Sequence, residues 1–214
     1  NIEKFTSYLV SINFTEIMVL ALGLAFFGFE YLPLIAVQIL FLNVVEEEIP
    51  AISLGMDPGS DNLMDRPQRN PSIGILHRRN LAIVGTMAAV MGLAAFGVFY
   101  LSDPLGNLET GRTATFAAIT LMMASANFYR SLDRSVFEAG FFRNRILVIS
   151  VLGLVPLLGM MVYFQPVAQV FGHVPLEVSD WSMLAVAAVI PMIVLELLKK
   201  GIGRWMDTSY MYKD

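Results

Sequence analysis

Long apolar stretches alternate with polar segments along the whole chain of 214 residues. The apolar stretches cover residues 5–28, 32–52, 81–101, 113–129, 146–164 and 181–198. Each is close to the roughly 20 residues that an α-helix needs to cross about 30 Å of hydrocarbon. Because such helices leave no face for water, a soluble helical bundle is the more distant alternative. The pattern predicts an all-α protein, a polytopic transmembrane helical bundle of six spans that forms one domain over residues 1–214.

Composition and charge support a membrane protein and give the bundle an orientation. Hydrophobic residues make up 56% of the chain and charged residues 15%, with a mean hydropathy of +0.65. Of the 14 Lys and Arg residues, all except Arg112 lie in segments on one side of the predicted bundle. Since positive charge is retained on the cytoplasmic side, we expect cytosolic loops at 53–79 and 130–145 and both termini in the cytoplasm. The expected partner is the lipid bilayer, and we expect no nucleic acid.

The sequence offers no familiar catalytic or cofactor-binding motif. It has no Cys, which excludes disulfides and thiolate metal sites. Neither a GxxxxGK[ST] phosphate loop nor a GxGxxG fingerprint occurs, and His77 and His173 are isolated. We therefore predict no catalytic and no cofactor-binding residues in this chain. Because the sequence opens at Asn1 without a Met, we expect a fragment or a processed chain.

The most informative polar feature is a run of three carboxylates, Glu46, Glu47 and Glu48, within an apolar stretch. An ionised carboxylate at the centre of a span costs about 2.5 kcal/mol or more. No Lys or Arg lies within residues 38–50 to offset that cost. Protons, a partner helix or a bound cation must supply the missing positive charge. The last possibility makes this run a candidate ion site.

Further polar residues are spaced so that they share helix faces with these acids. Asn13 and Glu16 are three residues apart in the first stretch. Asn43, Glu46 and Glu47 follow the i, i+3, i+4 spacing in the second, so we expect them to lie on one face. Carboxamide and carboxylate groups from the two stretches could then converge.

Pro50 is expected to add backbone oxygens to this group. Its ring clashes with the carbonyl of Glu46 in a regular helix, so we expect local unwinding over residues 46–49. An oxygen-rich site suits a hard cation such as Ca²⁺, or Na⁺, K⁺ or a proton, better than a soft metal. The predicted cation ligands are Asn13, Glu16, Asn43, Glu46 and Glu47.

Simpler interpretations remain open for several of these residues. Glu48 and its two neighbours could mark the cytoplasmic end of the second span and be solvated there. Glu16 could be a protonated carboxyl group hydrogen-bonded to a neighbouring helix. Ser125 and Asn127 in the fourth stretch could hold helices together rather than bind an ion.

Three runs in the chain carry a resemblance to a known family. The first is Asn1-Ile2-Glu3-Lys4-Phe5, then Tyr8-Leu9 and Asn13-x-x-Glu16. The second is Gln38-Ile39-Leu40-x-x-Asn43-x-x-Glu46-Glu47-x-x-Pro50-Ala51, and the third is Met64-Asp65-Arg66-Pro67-x-Arg69-x-Pro71. In this order they resemble the fifth span, the sixth span and the cytosolic stretch that follows it in the type II P-type ATPases of the calcium-pump-like group. The resemblance implies that this chain corresponds to the last six of ten spans.

The resemblance places the predicted ligands on cation-ligating positions, with departures. Glu46 stands where the family has a hydroxyl, Glu47 where it has the shorter Asp, and Glu48 where it has Gly. Ala124 stands where two-site calcium pumps have a fourth-span Glu. The resemblance therefore implies a cation site, with Ca²⁺ favoured, and we expect one ion rather than two.

Segments that the family needs for ATP hydrolysis are absent from this sequence. Neither the phosphorylated Asp-Lys-Thr-Gly-Thr sequence nor the Pro-Glu-Gly-Leu ligand motif occurs. ATP and Mg²⁺ would act only through the remaining N-terminal part of the pump, in the same gene product or on a separate chain. The leading prediction is the membrane half of an ATP-driven cation pump. The alternative is a free-standing channel, carrier or regulatory subunit derived from such a half.

Overall fold

The computed structural model describes residues 1–58, 74, 77–131 and 135–205, the last six by their backbone. The motif predicted at 64–71 lies outside these residues. Within the described residues the α-helices are α1 (Ile2–Phe27), α2 (Ala36–Phe41), α3 (Glu48–Gly55), α4 (Arg78–Leu101), α5 (Leu108–Met122), α6 (Ala126–Tyr129), α7 (Arg145–Tyr163), α8 (Gln165–Phe171) and α9 (Val178–Trp205). No strand occurs in the same residues, so the all-α prediction is confirmed.

Four helices have the length and composition of membrane spans: α1, α4, α7 and, within α9, Val178–Lys199. The two other predicted spans are each divided. Residues 32–52 hold α2, a π-helical turn over Leu42–Glu46 and most of α3. Residues 113–129 hold most of α5, a 3-10 turn over Met123–Ser125 and α6. Four spans are therefore supported in the described residues, and a count of six remains a prediction.

Pro50 affects the second stretch differently from our expectation. The chain is not unwound over residues 46–49, as the start of α3 at Glu48 shows. Instead the helix widens one turn earlier, and the Glu47 amide donates to the carbonyl of Leu42, five residues back, at 2.8 Å. Pro50 has no N–H to offer the Glu46 carbonyl, and a π turn ending at Glu46 absorbs this irregularity while the chain stays helical. The prediction of local unwinding is wrong.

Helix α5 occupies the centre of the bundle. It packs against α4, α7 and α9, and its side chains are buried along almost the whole helix. Protein rather than lipid surrounds α5, and its hydroxyl groups donate hydrogen bonds to backbone carbonyls of the same helix. Thr113 and Thr115 donate to the carbonyls four residues before them, each at 2.8 Å.

Large apolar side chains cover the outside of the bundle. Examples from α1, α4, α7 and α9 are Phe14, Ile17, Leu93, Ile149, Leu152, Val186 and Ile193. Contiguous apolar surface on this scale is unusual in a soluble monomer but fits contact with lipid tails. The exposed surface therefore agrees with the apolar composition of the spans.

Candidate cation site

Helix α1 and the second stretch run antiparallel and side by side, which brings their polar residues together. The approach is close near the turn that joins them, where a Cβ on Gly23 would overlap the ring of Pro33. Further along, Asn43 lies opposite Glu16 and Glu47 lies opposite Asn13. Residue numbers rise along α1 from Asn13 to Glu16 while they fall along the second stretch from Glu47 to Asn43, as an antiparallel hairpin requires.

The first pair joins Asn13 to Glu47. The Asn13 Nδ2 group donates to Glu47 Oε1 at 2.8 Å, and also to the carbonyl of Leu9 at 2.9 Å. Glu47 is only 1% exposed. The carboxylate is thus held in the interior by a neutral amide donor.

The second pair joins Asn43 to Glu16, and here the amide lies on the second stretch and the acid on α1. The Asn43 Nδ2 group donates to Glu16 Oε2 at 2.6 Å and to the carbonyl of Ile39 at 2.9 Å. Glu16 is 4% exposed, and its Oε1 atom has no hydrogen-bond partner. A buried carboxylate oxygen without a donor is costly, so this atom marks a position where a proton or a cation would be stabilising.

Glu46 lies on another side of the second stretch and faces α5. The hydroxyl of Thr120 donates to Glu46 Oε2 at 2.5 Å, while Glu46 Oε1 has no partner and the residue is fully buried. The face predicted for all three residues therefore holds for Asn43 and Glu47 but not for Glu46. A π turn advances side chains by less than the roughly 100° per residue of an α-helix, which rotates Glu46 away from the other two.

Thr120 is a contact of the site that the sequence did not indicate. A Thr within a span ordinarily bonds its own backbone, and Thr120 also donates to the carbonyl of Phe116 at 3.1 Å. A hydroxyl has one proton, so Phe116 and Glu46 share it, and Glu46 is the nearer acceptor. This contact depends on the direction of the Glu46 side chain, which residue spacing in the sequence does not predict.

No positive side chain among the described residues forms a salt bridge with these acids. The salt bridges found among the described residues involve Asp57 and Glu196, and none involves Glu16, Glu46 or Glu47. No group of three or more His, Asp or Glu residues in the described part of the chain is close enough to hold a metal by itself. The arrangement instead offers carboxylate and carboxamide oxygens from two helices, a mixed set that suits a hard cation.

The remaining residues singled out from the sequence lie around this centre. Glu48 is half-buried in the first turn of α3. Ala124 is half-buried in the 3-10 turn, where its methyl group offers no ligand. Asn127 donates to the carbonyl of Phe141 at 3.3 Å, and its Oδ1 atom and the Ser125 hydroxyl are buried without a partner.

One flank of the paired residues is open. Asn13 is exposed, and so are Phe14 and Ile17 on α1 and Val44 on the second stretch, at 55%, 59% and 61%. The polar amide of Asn13 thus lies among apolar side chains on the outer surface of the hairpin.

Comparison with known proteins places this sequence in a family. The sequence model of "Cation transporting ATPase, C-terminus" matches residues 31–201. A calcium-transporting ATPase of Bacillus subtilis is 32% identical over 200 residues, covering 91% of this chain and 22% of that protein. A mouse calcium-transporting ATPase type 2C member 2 is 36% identical over 172 residues, 78% of this chain and 18% of that protein. The human type 2C member 1 is 29% identical over 203 residues, 94% of this chain and 22% of that protein.

The similarity extends over most of the chain but only part of each relative. The chain spans about a fifth of the length of these curated relatives. The matched part contains the second stretch with Asn43, Glu46 and Glu47 and continues into α9. This chain therefore belongs to the family of cation-transporting ATPase C-terminal regions and is a membrane part of a P-type ATPase.

Proposed function

We propose that this chain is the membrane half of an ATP-driven Ca²⁺ pump and supplies transmembrane ligands for the transported ion. The observation that carries the proposal is the double pairing of Asn13 with Glu47 and of Asn43 with Glu16. Two buried carboxylates from facing helices are held a hydrogen bond away from carboxamides, and no Lys or Arg in the described part of the chain forms a salt bridge with them. A transported cation provides that charge and leaves when the two helices move apart.

Ca²⁺ is the favoured cargo. Its six to eight ligands are oxygen atoms from carboxylates, carboxamides, carbonyls and water. The residues of both pairs supply such oxygens, and the relatives compared above are named calcium-transporting ATPases. In the structure each Asn offers its Nδ2 group to a carboxylate, so rotation of the amide about Cβ–Cγ brings the Asn oxygen to the same place when Ca²⁺ enters.

Glu46 serves as an additional acid on the α5 side of the site. Its Oε1 atom is buried without a partner, whereas Oε2 accepts from Thr120. Together with Glu16 and Glu47 it completes the negative set that a divalent ion requires. ATP and Mg²⁺ act through the rest of the pump, which lies elsewhere in the same gene product or on a separate chain.

The proposed arrangement in the bilayer has six spans and cytoplasmic termini. The two divided stretches, α2–α3 and α5–α6, add to the four long helices to give six spans. The α5–α6 stretch lies inside the bundle, whereas α2–α3 has Leu40, Val44 and Ile52 on the outer surface, where lipid would contact them. The positive side chains of segments 53–79 and 130–145 support a cytosolic position for both.

Transport by the longest in-frame product of the gene tests the proposal. Sealed vesicles that contain this product should accumulate radioactive Ca²⁺ when Mg-ATP is added outside. They should not accumulate it with Mg-ADP, nor in a product in which an Asp-Lys-Thr-Gly-Thr aspartate is replaced by Asn. Uptake that follows an imposed Ca²⁺ gradient and ignores ATP would contradict a pump and favour a channel or carrier.

A further inference from the structure

Asp57 joins two helices at the end of the bundle away from the Gly23–Pro33 contact. Lys4 Nζ on α1 lies 2.7 Å from Asp57 Oδ2, just beyond α3. The side chain of Asp57 is 3% exposed, whereas that of Lys4 is 25% exposed. The side chain of Asn1 adds a hydrogen bond to the backbone carbonyl of Asp57 at 2.7 Å. An ion pair and a hydrogen bond therefore connect the start of α1 to the segment just after α3.

The second carboxylate oxygen of Asp57, Oδ1, contacts residues next to α6 and α7. Arg130 Nε, which follows α6, lies 2.7 Å from Asp57 Oδ1, and its side chain is 3% exposed. Asn144, the residue before α7, donates to Asp57 Oδ1 at 3.2 Å and to the carbonyl of Ser53 at 2.9 Å. Arg130 also donates to the carbonyl of Gly140 at 2.7 Å. The Asp57 carboxylate thus contacts three side chains, those of Lys4, Arg130 and Asn144, which belong to three other parts of the bundle.

This junction lies on the same two helices as the ion ligands. Nine residues of α1 separate Lys4 from Asn13, which is about 14 Å at the helical rise of 1.5 Å per residue. The second stretch places Glu47 at a similar distance from Asp57. The chain is helical over most of this length in both segments, so a shift between Lys4 and Asp57 would displace Asn13 relative to Glu47.

We propose that Asp57 is a positioning residue of the cation site: it fixes the register of α1 against α3 through Lys4, while Arg130 and Asn144 anchor it to the bundle. This inference rests on the proposed Ca²⁺ site. The partly exposed Lys4 contact is the adjustable one, since water can replace it, whereas the buried Arg130 contact is permanent. A site whose ligands are held in register binds its ion more tightly, because less of the population is in a non-binding arrangement.

The first experiment compares Lys4→Gln and Lys4→Arg in the longest in-frame product. Ca²⁺ concentration at half-maximal binding and at half-maximal ATPase activity should rise about threefold to fivefold in Lys4→Gln, the range that a partly exposed ion pair supports. The maximal rate at saturating Ca²⁺ should stay unchanged, and Lys4→Arg should restore the affinity. Arg78→Gln, at an exposed position in α4, is the matched control and should bind as the parent protein does.

The second experiment separates positioning from folding. Asp57→Asn leaves the Arg130 charge buried without its partner and is expected to reduce the amount of folded protein. The double variant Asp57→Asn with Arg130→Gln removes both charges and should recover expression, yet keep the weakened Ca²⁺ affinity of Lys4→Gln. Parental affinity in Lys4→Gln and in the double variant, or a lower maximal rate at unchanged affinity, would overturn the inference. Absence of Ca²⁺ binding by the parent product would instead overturn the proposed function.

Discussion

Replacement of Glu16 or Glu47 by Gln removes one negative charge from the site at nearly constant shape. Gln keeps one carbonyl oxygen, so the hydrogen bond from Asn43 or Asn13 can persist. The amide nitrogen of the substituted side chain takes the place of an oxygen that would otherwise contact the cation. The variants should therefore fold normally while their attraction for a divalent cation falls.

The size of the effect follows from burial. Glu16 and Glu47 are 4% and 1% exposed, so water screens them poorly. At an effective dielectric constant near 20, two unit charges 4 Å apart attract each other by about 4 kcal/mol. Part of this attraction is lost to desolvation and relaxation. We expect Ca²⁺ affinity to fall at least tenfold in each variant, which corresponds to about 1.4 kcal/mol.

Equilibrium binding of radioactive Ca²⁺ to the longest in-frame product measures this change. Glu48→Gln is the matched control, because Glu48 is an acid of the same run, lies in the first turn of α3 and is only half-buried. Its affinity should change by less than about threefold, as expected for a screened charge. Thermal unfolding of all three variants should match that of the parent protein. Unaltered Ca²⁺ dependence in both Glu16→Gln and Glu47→Gln would show that these acids do not bind the ion and would leave them as structural groups.

Four further outcomes are expected. A Cys introduced at Leu105 should react with an impermeant thiol reagent in sealed cells and one at Glu138 should not; labelling of Glu138→Cys from outside would contradict the proposed topology. Because Ala124 offers no ligand, Ca²⁺ binding should saturate at one ion per protein, and saturation at two would be inconsistent with this. Thr120→Val leaves Glu46 without its hydroxyl donor and should lower the free energy of unfolding by about 1–3 kcal/mol, measured by denaturant titration, whereas Thr120→Ser should not. Burial lowers the pKa of His173 below its ordinary value of 6.5, so the unfolded chain binds that proton more readily and the folded state loses stability as pH falls below 6.5. The loss in thermal stability from pH 7.5 to 5.5 should therefore be smaller in His173→Gln than in the parent protein. An equal loss in both would count against this.

The pairing of α1 with the second stretch could be anticipated in part from the sequence. Three-residue and four-residue spacing placed Asn13 with Glu16 and Asn43 with Glu47, and the structure brings these two faces together. Which Asn would meet which Glu could not be read from spacing, because it depends on the register of the hairpin. The contact of Gly23 with Pro33 near the turn and that of Lys4 with Asp57, far apart in sequence, accompany this register.

The position of Glu46 shows where helical spacing fails. Its predicted face assumes a regular helix, but Pro50 removes a backbone donor and the helix widens over Leu42–Glu46. Glu46 consequently turns to α5 and meets Thr120. The sequence signalled an irregularity near Pro50, but not whether the chain would unwind or form a π turn, since both avoid the same clash.

A Ca²⁺ ion bound between α1 and the second stretch is the feature on which the proposed pump depends. A crystal structure of the longest in-frame product grown with Ca²⁺, with the ion located by its anomalous scattering, would show whether it is there. We predict one Ca²⁺ whose ligands include an oxygen of Glu16 and an oxygen of Glu47, each at about 2.3–2.6 Å. A Ca²⁺ ion within the membrane region that contacts neither Glu16 nor Glu47 would exclude this site.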